Sequence, residues 1–348
     1  MTGRLPEHVR QKISAVSFVC AVLVVALHVT EPTGCGAAFY HDWIVHGLTR
    51  ISVPFFLIVS GFLLMNHADE ARWYGRAVRQ RLQTLVVPFY CINLVGFVFL
   101  SVLPMVFGDG GSLFSVVSWK TFLQGVSPIP IGFQPPIHPL WYIRALMYLT
   151  VVSPICLAFA RRSGVSAMVL LVAAFGLWML QRVLDTWLNL GVFCRYEYDL
   201  RCFFFFALGI VLRIRGDAAF GRIGSSLSLT AGLAIVAVRQ YALSGIPQLA
   251  FVTNAAGIIL LIFGLLGVVP AARWPRFLVE NTFAVYAFHV LFIALWERGC
   301  AHFGLLPLAR TLAGTGCCIV FCVMLSCGLG SAARNRLGRL GAVILGGR

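Results

Sequence analysis

Ten stretches of about 20 mainly apolar residues follow one another along this sequence: 13–31, 44–65, 85–107, 140–160, 165–181, 200–215, 226–245, 250–270, 278–297 and 305–330. A helix of that length crosses a hydrocarbon core about 30 Å thick. Lipid offers no hydrogen bonds to a backbone, so every N–H and C=O in such a stretch must be satisfied within it, which selects α-helices. The predicted fold is therefore all-α, a polytopic integral-membrane helical bundle of about ten transmembrane helices with both termini cytoplasmic. Composition agrees: of 348 residues 59% are hydrophobic and 11% charged, where a soluble domain has about half and a quarter. The mean hydropathy is +0.89. No fixed-period repeat and no linker long enough to separate domains interrupts the runs, so 1–348 reads as a single transmembrane domain.

With 27 Lys+Arg against 12 Asp+Glu the formal net charge is +15, which in a soluble protein would suggest nucleic acid. The basic residues instead alternate with the runs. Arg4, Arg10 and Lys12, the Arg72–Arg81 group, Arg161 and Arg162, Arg213 to Arg222, Arg273 and Arg276, and Arg334 to Arg348 fall on one side if the N-terminus is cytoplasmic. That is the positive-inside pattern, and its partner is the anionic bilayer surface, not nucleic acid. The first run follows a basic segment but lacks a convincing small-residue cleavage site, so it reads as a retained helix. The 11 Cys show no CxxC and no Cys/His metal spacing, so no metal is expected; Cys194 and Cys202 flank a polar segment and are candidates to pair.

Ionisable side chains within a span cost about 2.5–3.5 kcal/mol at the helix centre, and each asks for a reason. His28 lies 15 residues into the first run, about 22 Å along a helix and so in the outer half of the core, with Glu31 one turn further. An imidazole oriented by a carboxylate is a general base; a histidine bonded to another helix is the alternative. RISVPFFLIVSGFLL opens with Arg50 and carries Ser60, Gly61 and Phe62, which suit close helix packing. RWYGRAVRQRLQTLVVPFY carries Arg72, Arg76, Arg79 and Arg81; arginine forks suit phosphates, and the positive-inside pattern alone also accounts for them. HPLWYIRALMYL places Arg144 behind Trp141 and Tyr142. The 195–201 segment is a mixed-charge cluster, and ENTFAVYAFHVLF sets Asn281, Tyr286 and His289 at spacings that put Tyr286 and His289 on one side of a helix.

Taken in order, ISAVSFVCAVLVVALH, VPFFLIVSGFLL, the basic segment into VVPFY, PLWYIRALMYL and NTFAVYAFH resemble the acyltransferase-3 family of integral-membrane acyltransferases, in its stand-alone form without an appended extracellular domain. The resemblance implies about ten helices, no permanently bound cofactor, and acyl-CoA, usually acetyl-CoA, as a co-substrate entering from the cytoplasm. His28 falls on the family's catalytic histidine. The family has arginine eleven positions earlier, a spacing that returns to within about 20° of the same helix face. Here that position is Ser17. Lys12 lies about 160° round the helix and Arg10 about 27 Å away. Arg81 matches the first arginine of the basic segment, with Arg76 and Arg79 as further donor contacts, and Thr84 stands where a second arginine is usual. Ser60, Trp141, Tyr142, Tyr286 and His289 fall in the patches expected to meet substrate.

On this resemblance the expected function is membrane O-acyl transfer to a hydroxyl of a carbohydrate or lipid-linked glycan. His28 would be general base or acyl relay beside Glu31, and Arg50 or Arg144 would stabilise the oxyanion. The acceptor would enter from outside, near the 108–139 loop and the 195–201 cluster. The expected location is the plasma (bacterial inner) membrane. A transporter or flippase would use the same buried Arg and His residues as a path, and a non-catalytic interaction protein is the third reading.

Overall fold

A computed structural model of the protein describes residues 5–70, 72–107, 119–127, 135–188, 199–215, 226–241, 247–270 and 274–346. The principal helices are α1 Glu7–His28, α2 Ser52–Leu64, α3 Trp73–Arg81, α4 Val87–Val106, α5 Trp119–Gly125, α6 Trp141–Arg162, α7 Gly164–Leu188, α8 Leu200–Arg215, α9 Ser226–Tyr241, α10 Pro247–Val268, α11 Thr282–His302 and α12 Leu312–Ile344. No strand occurs among the described residues. Each of the ten apolar runs coincides with a helix. Seven segments are long and apolar enough to cross a membrane: Glu7–His28, Ala37–Leu64, Trp73–Val106, His138–Arg162, Gly164–Asp185, Thr282–His302 and Leu312–Ile344. Of the other three runs, α8 has 16 residues, which reach about 24 Å, and the apolar helical stretches of the remaining two among the described residues are Ser226–Val238 and Thr253–Val268. The protein is a multi-pass integral membrane protein.

The second and third spans are not continuous α-helix. Ala37–Leu64 runs through a π-helical stretch, Tyr40–Val45, and a 3₁₀ turn, Leu48–Ile51, before α2. Between α3 and α4 the chain widens into a π-helical turn, Leu82–Val86. Pro88, at the start of α4, has no N–H to return to the Thr84 carbonyl, which accounts for the widening there. The last span starts at Leu312, later than the apolar run, because Thr311 caps it: its hydroxyl accepts from the Gly314 N–H at 3.0 Å. α12 is broken at Gly338, whose φ of 52° favours glycine.

Two compact units divide the chain. The first comprises Met1–Cys20, Gly47–Arg79 and Ala145–Trp274; the second comprises Ala21–His46, Gln80–Arg144 and Pro275–Arg348. In the first, α2 crosses α8 at backbone contact. A Cβ on Gly61 would lie 2.2 Å from the Phe206 carbonyl oxygen, and one on Gly209 would lie 2.0 Å from that of Ile58. The glycine of the Ser60-Gly61-Phe62 patch is thus explained by packing. Arg213, buried on α8, stands over the Phe62 ring at 5.3 Å. At the junction of α7 and α8, Asp199 pairs with Arg182 (3.2 Å) and Arg201 (3.3 Å), and the Leu200 N–H donates to Gln181 at 2.8 Å. Asp199 and Arg201 of the mixed-charge cluster therefore bind these helix ends together; Arg195 to Tyr198 and Cys194 lie outside the described residues.

In the second unit α11 packs on α12 and α4. Asn281 fastens the first contact: its amide donates to Ser331 at 2.9 Å and its carbonyl oxygen accepts from Arg334 at 2.6 Å.

Replacing Gly61 by Ala should lower stability by about 1–3 kcal/mol, because the added methyl has only backbone to displace. Gly176→Ala on α7, with nothing within 4 Å of the added carbon, should be neutral. Thermal unfolding of the purified variants in detergent checks both.

Candidate active site

Three histidines from distant parts of the second unit converge at the end of α1. His28 is the last residue of that helix, and its ring centroid lies 4.9 Å from that of His289 on α11, edge to face. His138, on the 3₁₀ turn His138–Leu140 before α6, lies 6.5 Å from His28. Among the described residues no group of three His, Cys, Asp or Glu has the arrangement of a metal site.

Hydrogen bonds fix the proton positions on two of these rings. His28 Nδ1 is 2.8 Å from the Val24 carbonyl oxygen, one turn back on its own helix, and His289 Nδ1 is 2.7 Å from that of Tyr286. A carbonyl only accepts, so in each neutral ring the proton sits on Nδ1 and Nε2 presents a lone pair. His289 is wholly buried and its Nε2 has no hydrogen-bond partner. A buried polar atom left without a partner costs about 1–3 kcal/mol, and native structures keep few of them. The site thus holds an imidazole nitrogen with no partner on a ring 4.9 Å from that of half-buried His28.

The surrounding residues hold these rings in place. Tyr40 OH donates to the Ala26 carbonyl at 2.6 Å, bracing the last turn of α1. The turn carrying His138 is held from two sides. Asn93, fully buried on α4, accepts from the Ile137 N–H at 3.2 Å while its amide donates to Phe89 at 2.8 Å. Tyr286 OH donates to the Pro139 carbonyl. Arg144, 1% exposed, donates from one Nη to the carbonyls of Gly125 (3.2 Å) and Ser127 (3.3 Å), at the C-terminal end of α5. There a cation meets the negative end of a helix. Tyr142 packs against Tyr286 at 5.8 Å and against Trp141 at 6.3 Å.

A family model described as an acyltransferase domain matches residues 12–327. The chain belongs to the acyltransferase-3 family. It is an acyltransferase, and the transporter and interaction-protein readings fall with that finding. No curated protein and no solved structure matches the chain.

Of the residues singled out in this acyltransferase, the second unit brings His28, His289, Tyr286, Tyr142, Trp141 and Arg144 into one neighbourhood. Glu31 corrects the sequence-based reading. Its carboxylate receives His41 Nδ1 at 2.8 Å, and the His28 ring is oriented by Val24 instead, because the carbonyl one turn back is already within reach when the chain leaves the helix. Arg81 heads the π-helical turn, half-buried. The others belong to the first unit. Ser17 is buried on α1, Arg50 lies on the 3₁₀ turn Leu48–Ile51, and Ser60 is half-buried on α2. Arg76 pairs with Glu70 at 2.5 Å, and Arg79 is exposed on α3.

Sequence reasoning missed His138 and Asn93. His138 stood in view at the head of HPLWYIRALMYL but outside the apolar run, where a histidine is unremarkable. A signal was present: a His-Pro step immediately before a span that buries an arginine. Asn93, an amide in mid-span, was the other.

Asn93→Ala should cost about 1–3 kcal/mol of stability, since it strands the buried Ile137 N–H. Ser101→Ala on the same helix, whose hydroxyl bonds the Phe97 carbonyl one turn back, should cost less. Paired thermal melts of the two proteins measure the difference.

Proposed function

We propose that the protein is a membrane O-acyltransferase that moves an acyl group, acetyl in the simplest case, from cytoplasmic acyl-CoA to a hydroxyl of a carbohydrate or glycolipid acceptor at the plasma (bacterial inner) membrane. The observation that carries this reading is the pair of imidazoles with fixed tautomers, His28 and His289, whose Nε2 atoms are left to meet a substrate proton.

In the proposed reaction His28 Nε2 takes the proton of the acceptor hydroxyl as that oxygen attacks the thioester carbonyl. The new C–O bond forms, the C–S bond breaks, and the CoA thiolate takes the proton back from His28 and leaves as the free thiol. His289 Nε2 accepts a hydrogen bond from a neighbouring hydroxyl of the acceptor, which holds the attacking oxygen against His28, and so gains the partner it lacks. The donor's phosphates meet the arginines of the basic segment, Arg76, Arg79 and Arg81, whose forked geometry suits them; Ser17 in place of a family arginine leaves that contact to them. Arg144, which donates to the Gly125 and Ser127 carbonyls, is assigned to holding the wall of the site. Trp141 and Tyr142 complete the substrate lining in this reading.

The test is label transfer from radiolabelled acetyl-CoA into carbohydrate and lipid fractions of membranes, at matched protein levels. His28→Ala should reduce transfer by at least a hundredfold, within the range of general base catalysis, and Glu31→Gln by less than tenfold. Full transfer by the His28 variant would refute the assignment.

A further inference from the structure

Beside the histidines the second unit holds a partly open cavity of about 100 Å³, walled by Val29, Thr30, Trp296, Glu297 and Arg310 among others. We infer that this cavity is the acceptor subsite and takes one ring of a neutral carbohydrate, an inference that rests on the acyl-transfer reading for the ligand's role as acceptor.

Position is the first argument. Val29 and Thr30 directly follow His28, so the cavity begins one residue from the proposed base. Trp296 is seven residues beyond His289 on α11. Seven residues advance about 10 Å and return within about 20° of the same helix face, so the indole and the orphan imidazole share one side of the helix. That separation is one a disaccharide-sized acceptor covers.

Size is the second. Pockets for whole small molecules run to roughly 300–1,000 Å³. A cavity of about 100 Å³ is too small for acyl-CoA and suits part of a larger ligand.

Chemistry is the third. Glu297 and Arg310 set opposite charges on one small wall, so an anion such as a CoA phosphate is repelled by the first and a cation by the second. A neutral ring bearing several hydroxyls suits both, because each hydroxyl donates to a carboxylate and accepts from a guanidinium. The indole of Trp296, packed at 5.2 Å from Phe321, offers a flat surface to the C–H face of such a ring. In the unliganded protein the Thr30 hydroxyl donates to Glu297, the bond that an incoming sugar hydroxyl would replace.

The test needs no acyl donor. Purified protein in detergent is applied to an immobilised panel of glucose-, galactose-, mannose-, rhamnose- and N-acetylglucosamine-terminated glycans. Wild-type protein should be retained by at least one of them. Glu297→Gln and Trp296→Ala should weaken that binding at least tenfold while still eluting as a single peak on size exclusion, and Trp296→Phe should recover part of it. No retention of the wild type, or equal retention by Glu297→Gln and Trp296→Ala, would overturn the inference. The acyl-transfer reading fails separately, by the absence of His28-dependent label, whatever the glycan panel shows.

Discussion

A polar side chain in hydrocarbon has no water to turn to, and in this protein it turns one turn back along its own helix. His28 bonds Val24, Asn93 bonds Phe89, Ser101 bonds Phe97, Thr150 bonds Leu146 and His289 bonds Tyr286. These local bonds satisfy one polar atom per side chain inside the span. What they leave over decides the rest: the amide oxygen of Asn93 holds the His138 turn, the amide and oxygen of Asn281 fasten α11 to α12, and Nε2 of His289 is left without a partner.

The same constraint explains how two ordinary histidines come to present fixed tautomers to one site. In water an imidazole samples both tautomers. Bonded through Nδ1 to a backbone carbonyl, each presents its lone pair in one direction, without a carboxylate. Glu31, the residue that chemical habit would enlist, instead pairs with His41 ten residues on. The orientation of the His28 ring is a property of the helix that carries it, and Tyr40 and Asn93 serve by holding that helix end and the facing turn.

Most of the fold was legible in the sequence because apolar length is a one-dimensional property: each of the ten runs coincides with a helix. The ends were less legible, since they depend on single residues such as the Thr311 cap and Pro88. Of the site, His28 and His289 stood out as polar atoms in apolar runs. His138 did not, because its significance lies in a contact with a residue 110 positions away. Glu297 lies near the end of α11, and only the fold sets it beside Thr30. Gly61 pointed correctly to close packing, which accounts for it through the α2–α8 crossing without any catalytic role.

The central claim is that His28 and His289 act on one acceptor as a unit, and a double-mutant cycle tests it most directly. Acyl transfer from labelled acetyl-CoA is measured for the wild type, His28→Gln, His289→Leu and the double variant, at matched folded protein. Residues that act as a unit are strongly non-additive, so the double variant should be no slower than the worse single one. Losses that simply multiply would show that the two rings work independently and would contradict the account.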